Sequence, residues 1–134
     1  MAIEVYWDKK DKTIICARLI DNWTWEDYST ASQKMLDMAR EVDYRVDMIT
    51  DLRQSGPIPR GSASAHILRS REQKPANFGV TVLVGADVFL RALLEVFDRV
   101  YGKKVPRSLL VQTTAEARKL IADARAQAGK DATV

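Results

Sequence analysis

The run FGVTVLVG at residues 78–85 restricts the possible folds more than any other stretch. Apolar side chains fall on both of its alternating faces, so a strand here must be covered from both sides. That places it inside a sheet rather than at an edge. A helix follows it directly. VFLRALLEVFDRVY at 88–101 carries Phe89, Leu90, Leu93, Leu94, Phe97, Val100 and Tyr101 at helical spacing, with Asp87 as its cap and Gly102 after it.

The chain begins with two apolar segments, 2–7 and 13–20, joined by the polar turn Asp8–Lys12. So short a connection predicts an antiparallel hairpin. A helix is expected at about 24–42, with Thr24 as N-cap, Glu26 and Asp27 in its first turn, and Tyr28, Ala31, Met35, Met38, Ala39 and Val42 on one face. VDMITDL at 46–52 reads as the next strand, and a helix between two strands implies a parallel crossover. SASAHILRSREQ at 62–73 reads as a shorter helix stopped by Lys74-Pro75. A short strand at 108–112 and a helix at 114–128 complete the chain, with Thr113 and Glu116 as a capping box and Gly129 as the stop. The expected order is β-β-α-β-α-β-α-β-α. It describes one α/β domain over 1–128, with a single mixed sheet of about five strands and a frayed tail at 129–134.

A chain of 134 residues can bury a core without disulfides or metals. The lone Cys16 lies in an apolar run and has no partner for a disulfide, which favours a packed thiol in a reducing compartment. The first residues lack the basic and apolar regions of a secretory leader, and no apolar run is long enough to span a bilayer. A cytoplasmic protein is expected. The net charge of +3 is too small to argue for nucleic acid without a clustered patch. Two basic clusters, Arg69/Arg71/Lys74 and Lys103/Lys104/Arg107, lack the interleaved aromatics of a single-strand binder. Both read as solvated helix ends and loops, and no nucleic-acid partner is expected.

The element order and several local motifs resemble the STAS family, in particular its SpoIIAA-like branch, over roughly residues 3–126. Asp51-Leu52-Arg53 stands where STAS proteins carry Asp-Leu-Ser at a strand end. VTVLVGADVFLRALLEVFDRVYG is similar to the family's following strand and helix, and SLLVQTTAEARKLI to its closing strand, turn and helix. The resemblance implies a sheet with helices mainly on one face and a non-catalytic module that binds a partner protein or itself. In some family members a kinase modifies a serine at the start of the helix after the Asp-Leu-Ser strand. The matching stretch here is PRGSAS, with Ser62 nearest and Ser64 second; the preceding acidic residue is missing, and Arg60 lies nearby. The resemblance also extends to lipid-binding SEC14 domains, which implies a lipid or small apolar ligand as the alternative.

Five residues are therefore candidates for binding or switching: Arg60, Ser62, Ser64, His66 and Asp51. Backbone N–H groups at a helix start attract anions, and Arg60 would add charge. The simpler reading is a Gly56-Pro57 turn followed by a serine cap. No Gly-Lys-Ser/Thr completes a phosphate-binding loop. Asp51 sits where a receiver-type phosphoacceptor would, but Asp8 and Asp11 are followed by a second strand rather than a helix. A structural aspartate that accepts from Arg53 or the backbone is favoured over Mg²⁺-assisted phosphoryl chemistry. His66 is the only histidine and has no Cys or His at metal-ligand spacing, so no metal, cofactor or catalytic role is expected. Trp23 reads as a hydrophobic staple, while Trp25 stays open between core and groove. The expected contact surface is loop 54–61 with the helix that ends at 73.

Overall fold

A computed structural model describes residues 2–61, 63–102 and 108–132. Its elements are β1 (Ile3–Trp7), β2 (Ile14–Asp21), α1 (Trp25–Arg40), β3 (Val46–Ser55), α2 (Ala63–Glu72), β4 (Phe78–Val84), α3 (Val88–Tyr101), β5 (Leu109–Val111) and α4 (Thr114–Ala132). The five strands form one mixed sheet in the order β1-β2-β3-β4-β5. β1 and β2 pair antiparallel, and the other three pairings are parallel. The α/β class, the element order and the interior position of β4 agree with the sequence expectation.

Strand alternation sorts the side chains into two cores. Ile15, Ala17 and Leu19 of β2 and Val46, Met48 and Leu52 of β3 meet α1, α2 and α3 on one face. Ile14 and Cys16 of β2, Ile49 of β3 and Val82 and Val84 of β4 meet Ala117 and Ile121 of α4 on the other. Three helices thus share a face, and α4 covers the opposite one alone.

Local chemistry sets the helix starts. Thr24 Oγ1 accepts from Asp27 N at 3.0 Å, while Asp27 Oδ2 accepts from Thr24 N at 2.9 Å, which closes the capping box of α1. Asp87 Oδ1 accepts from Leu90 N at 2.8 Å and caps α3. Thr113 Oγ1 accepts from Glu116 N at 3.1 Å at the head of α4.

Two boundaries differ from expectation. β3 runs on to Ser55, because Gln54 and Ser55 continue its pairing with Ile20 and Asp21 of β2. Part of the expected loop is therefore strand. α4 passes through Gly129 to Ala132. A helical glycine costs only about 1 kcal/mol relative to alanine, too little to end a 19-residue helix by itself. Of the expected tail, Thr133 and Val134 lie outside the described residues. Among the described residues, no helix is long and apolar enough to cross a membrane.

Candidate functional site

The candidate residues divide between the two faces of the sheet. Asp51 shares the parity of Asp47 and Ile49, so it faces the α4 side. Arg60, Ser64 and His66 belong to the opposite side, with α2. Asp51 therefore takes no part in a site with the other three. Ser62 lies outside the described residues.

Asp51 is tied down locally. Arg53 donates to it from its backbone N at 3.1 Å, from Nε at 2.9 Å and from Nη2 at 2.8 Å. Hydrogen bonding from Arg53 holds the carboxyl below the usual aspartate range, against the opposing effect of burial. Arg18 stands opposite Asp51 on β2. Two arginines around one carboxylate make a poor Mg²⁺ site. Among the described residues, no group of three His, Cys, Asp or Glu side chains can hold a metal ion.

The loop after β3 is clasped by tryptophans. Trp23 is buried, and its Nε1 donates to Ser55 Oγ at 2.8 Å. Trp25 Nε1 donates to the Arg60 carbonyl at 3.1 Å. The His66 ring stacks on Trp25 at 4.6 Å and 6°, while Trp23 meets Trp25 edge-on at 5.2 Å. His66 is thus a packing partner of the clasp. At the loop's start, Gly56 N donates to the Asp21 carbonyl at 2.7 Å, and a Cβ on Gly56 would lie 2.8 Å from the Asn22 side chain. At its end Gly61 has φ +118°, a conformation suited to glycine. Ser64 is exposed in the first turn of α2, on a groove formed by Ile58, Pro59, Leu68, Phe89 and Leu93.

The basic cluster on α2 overturns its sequence reading. Only Arg69 is a solvated residue. Arg71 is 6% exposed, pairs with Asp98 at 3.1 Å, donates to Ser108 Oγ at 2.8 Å and lies over the Phe97 ring at 4.7 Å. Lys74 is partly buried and donates from Nζ to Thr81 Oγ1 at 2.6 Å. Burial, and next the charge of Arg71, pull its pKa from 10.5 down to about 8. Both cations line a partly open cavity of about 90 Å³ between the sheet and α1, α2 and α3. The second basic cluster, Lys103, Lys104 and Arg107, lies outside the described residues.

The α4 face holds a polar node that the sequence reading missed. Asp47 is wholly buried. It accepts from Arg45 Nη2 at 3.0 Å, Arg125 Nε at 2.7 Å and Val80 N at 2.7 Å. Seven residues earlier on α4, Arg118 grips Asp8 through Nε at 2.9 Å and Nη2 at 2.8 Å. These two pairs fasten α4 to the sheet. Between them Cys16 Sγ lies 3.7 Å from Asp8 Oδ1. Burial first, then the Asp8 carboxylate, push the thiol up to about 12.

No protein-family model matches the chain, and no curated protein matches it in sequence.

Proposed function

We propose that this chain is a non-catalytic regulatory module of the SpoIIAA/STAS type whose contact face is loop 56–61, α2 and the outer stripe of α3. One observation carries the reading. Val88, Phe89, Val96 and Val100 of α3 are 84%, 65%, 55% and 64% exposed, and Phe89 with Leu93 lines the apolar groove beside α2. Large apolar side chains clustered on a helix surface mark an interaction site.

The partner we infer is a second copy of the chain. Phe89, Leu93, Val96 and Val100 follow a 4-3-4 spacing, which reads the same in both directions. Two antiparallel copies of α3 would set Phe89 over Val100 and Leu93 over Val96, twice across a two-fold axis. As part of this proposal the protein is cytoplasmic, which the single buried thiol of Cys16 supports.

Sedimentation velocity across the micromolar range tests the reading. The expected result is a dimer that dissociates when Phe89→Glu and Val100→Glu are combined. A wild-type chain that stays monomeric throughout that range overturns self-association. The alternative of a lipid ligand has weaker support. About 90 Å³ falls well below the ~300 Å³ of the smallest pockets for drug-sized ligands, so a lipid tail would need the cavity to open.

A further inference from the structure

We propose that the cavity between the sheet and α1, α2 and α3 binds a small monocarboxylate, with the carboxylate on the Lys74 ammonium and a short apolar tail against Met48, Leu52, Ile67 and Leu83. The inference is independent of self-association, because Lys74 and the cavity lie apart from the exposed stripe of α3.

The argument begins with charge. Two cations, Arg71 and Lys74, line the cavity. Asp98 pairs with Arg71. Among the described residues, Lys74 has no carboxylate within ion-pair distance, and its one acceptor is Thr81 Oγ1. An ammonium has three N–H donors, so two are left without a protein acceptor. The other polar side chains lining the cavity are the hydroxyls of Tyr28, Thr50, Ser70, Thr81 and Ser108 and the indoles of Trp23 and Trp25, whose N–H groups already donate to Ser55 and Arg60. None of them supplies an anion. A partly buried cation without a counter-charge carries a desolvation cost, and a single negative charge in the cavity would offset it.

Size and polarity narrow the ligand. At roughly 15 Å³ per water-sized probe, about 90 Å³ holds about six such positions. That suits an acid of about six to nine non-hydrogen atoms, such as butyrate, hexanoate or benzoate. Most of the wall is aliphatic or aromatic, which favours a ligand with one charged end. Inorganic phosphate offers no apolar part and carries more charge than Lys74 alone balances.

The test compares acids with their neutral isosteres on the intact chain. Butyrate, hexanoate and benzoate are titrated calorimetrically at pH 7 beside butyramide, hexanamide and benzamide, with inorganic phosphate as a further probe. At least one acid is expected to bind at least tenfold more tightly than its amide, with no binding of phosphate. Lys74→Met is expected to weaken that acid at least tenfold while leaving the circular dichroism spectrum unchanged. Absence of binding by every acid overturns the proposal. So does equal binding of acid and amide, or tight binding of phosphate. Should Lys74→Met misfold, the acid–amide comparison on the wild-type chain decides alone.

Discussion

Replacing Lys74 by methionine should leave the fold at least as stable at pH 7, although it removes a hydrogen bond. The folded chain holds this lysine near pKa 8 against 10.5 for a free side chain. The gap, 10.5 − 8, is about 2.5 units, or about 3 kcal/mol of unfavourable burial at neutral pH. Methionine has a similar reach and no charge, so it relieves that cost. Against this, the Thr81 hydroxyl loses its partner at 2.6 Å, which costs about 1–3 kcal/mol unless water in the cavity replaces it. The balance is a stabilisation of about 1 kcal/mol. The pH dependence is the sharper test. Below pH 8 both folded and unfolded chains carry the proton, and the penalty is fully present. Between about 8 and 10.5 only the unfolded chain keeps it, so stability rises with pH. Cys16 acts oppositely. Its thiol ionises near 9 when unfolded and near 12 when folded, so it removes stability as pH climbs from 9 toward 12. The clean window is pH 8–9, where the wild type should gain about 1 kcal/mol and Lys74→Met should gain nothing. Urea titrations at pH 7, 8 and 9 read both effects. Parallel pH profiles for the two proteins, or a loss of about 2 kcal/mol or more in the variant at pH 7, would refute the reasoning.

Three further outcomes follow from the geometry. Asp47→Ala should cost about 3–5 kcal/mol in urea unfolding, because Arg45 and Arg125 would lose their shared, buried counter-charge. Gly79→Ala should be destabilising by about 1–3 kcal/mol in the same assay, since the new methyl group would overlap the Asp47 carboxylate and the Arg45 guanidinium. Trp25→Phe keeps a ring for His66 to stack on but loses the bond to the Arg60 carbonyl; limited proteolysis within 56–61 should accelerate while the melting temperature moves little.

The order of elements was legible because period and capping carry it. Thr24 with Asp27, Asp87 and Thr113 with Glu116 mark helix starts through bonds made within one turn, so local sequence suffices. Arg71 and Lys74 were not legible, because their partners are remote. Asp98 is 27 residues from Arg71, and Thr81 stands across the cavity on β4. Helix α2 buries only Arg71 among its ten residues, so its apolar pattern could not reveal which face turns inward. The split of the candidate site was readable in principle. Asp47, Ile49 and Asp51 share one parity of β3, and Met48 and Leu52 the other. Parity alone separates Asp51 from the α2 side once α2 and α4 are assigned to opposite faces.

The two faces of the sheet differ in how firmly they are held, and that difference locates function. On one side, α4 is fixed by Ala117 and Ile121, by Arg118 with two bonds to Asp8, and by Arg125 with one bond to Asp47 and another to the Thr13 carbonyl. On the other, α2 stands over a cavity and contributes Ile67 and the buried Arg71, while loop 56–61 is held by the Gly56 N–H on the Asp21 carbonyl and the Trp25 indole on the Arg60 carbonyl. Elements with few buried apolar contacts open at lower free energy. Amide exchange should therefore be faster in α2 than in the 114–128 part of α4. An acid in the cavity should slow α2 preferentially, because α2 supplies Ile67 and Arg71 to its wall and leads directly into Lys74. Equal protection of the two helices would remove the reason to place ligand entry on the α2 side. It would leave the stripe on α3 as the only feature that distinguishes that face.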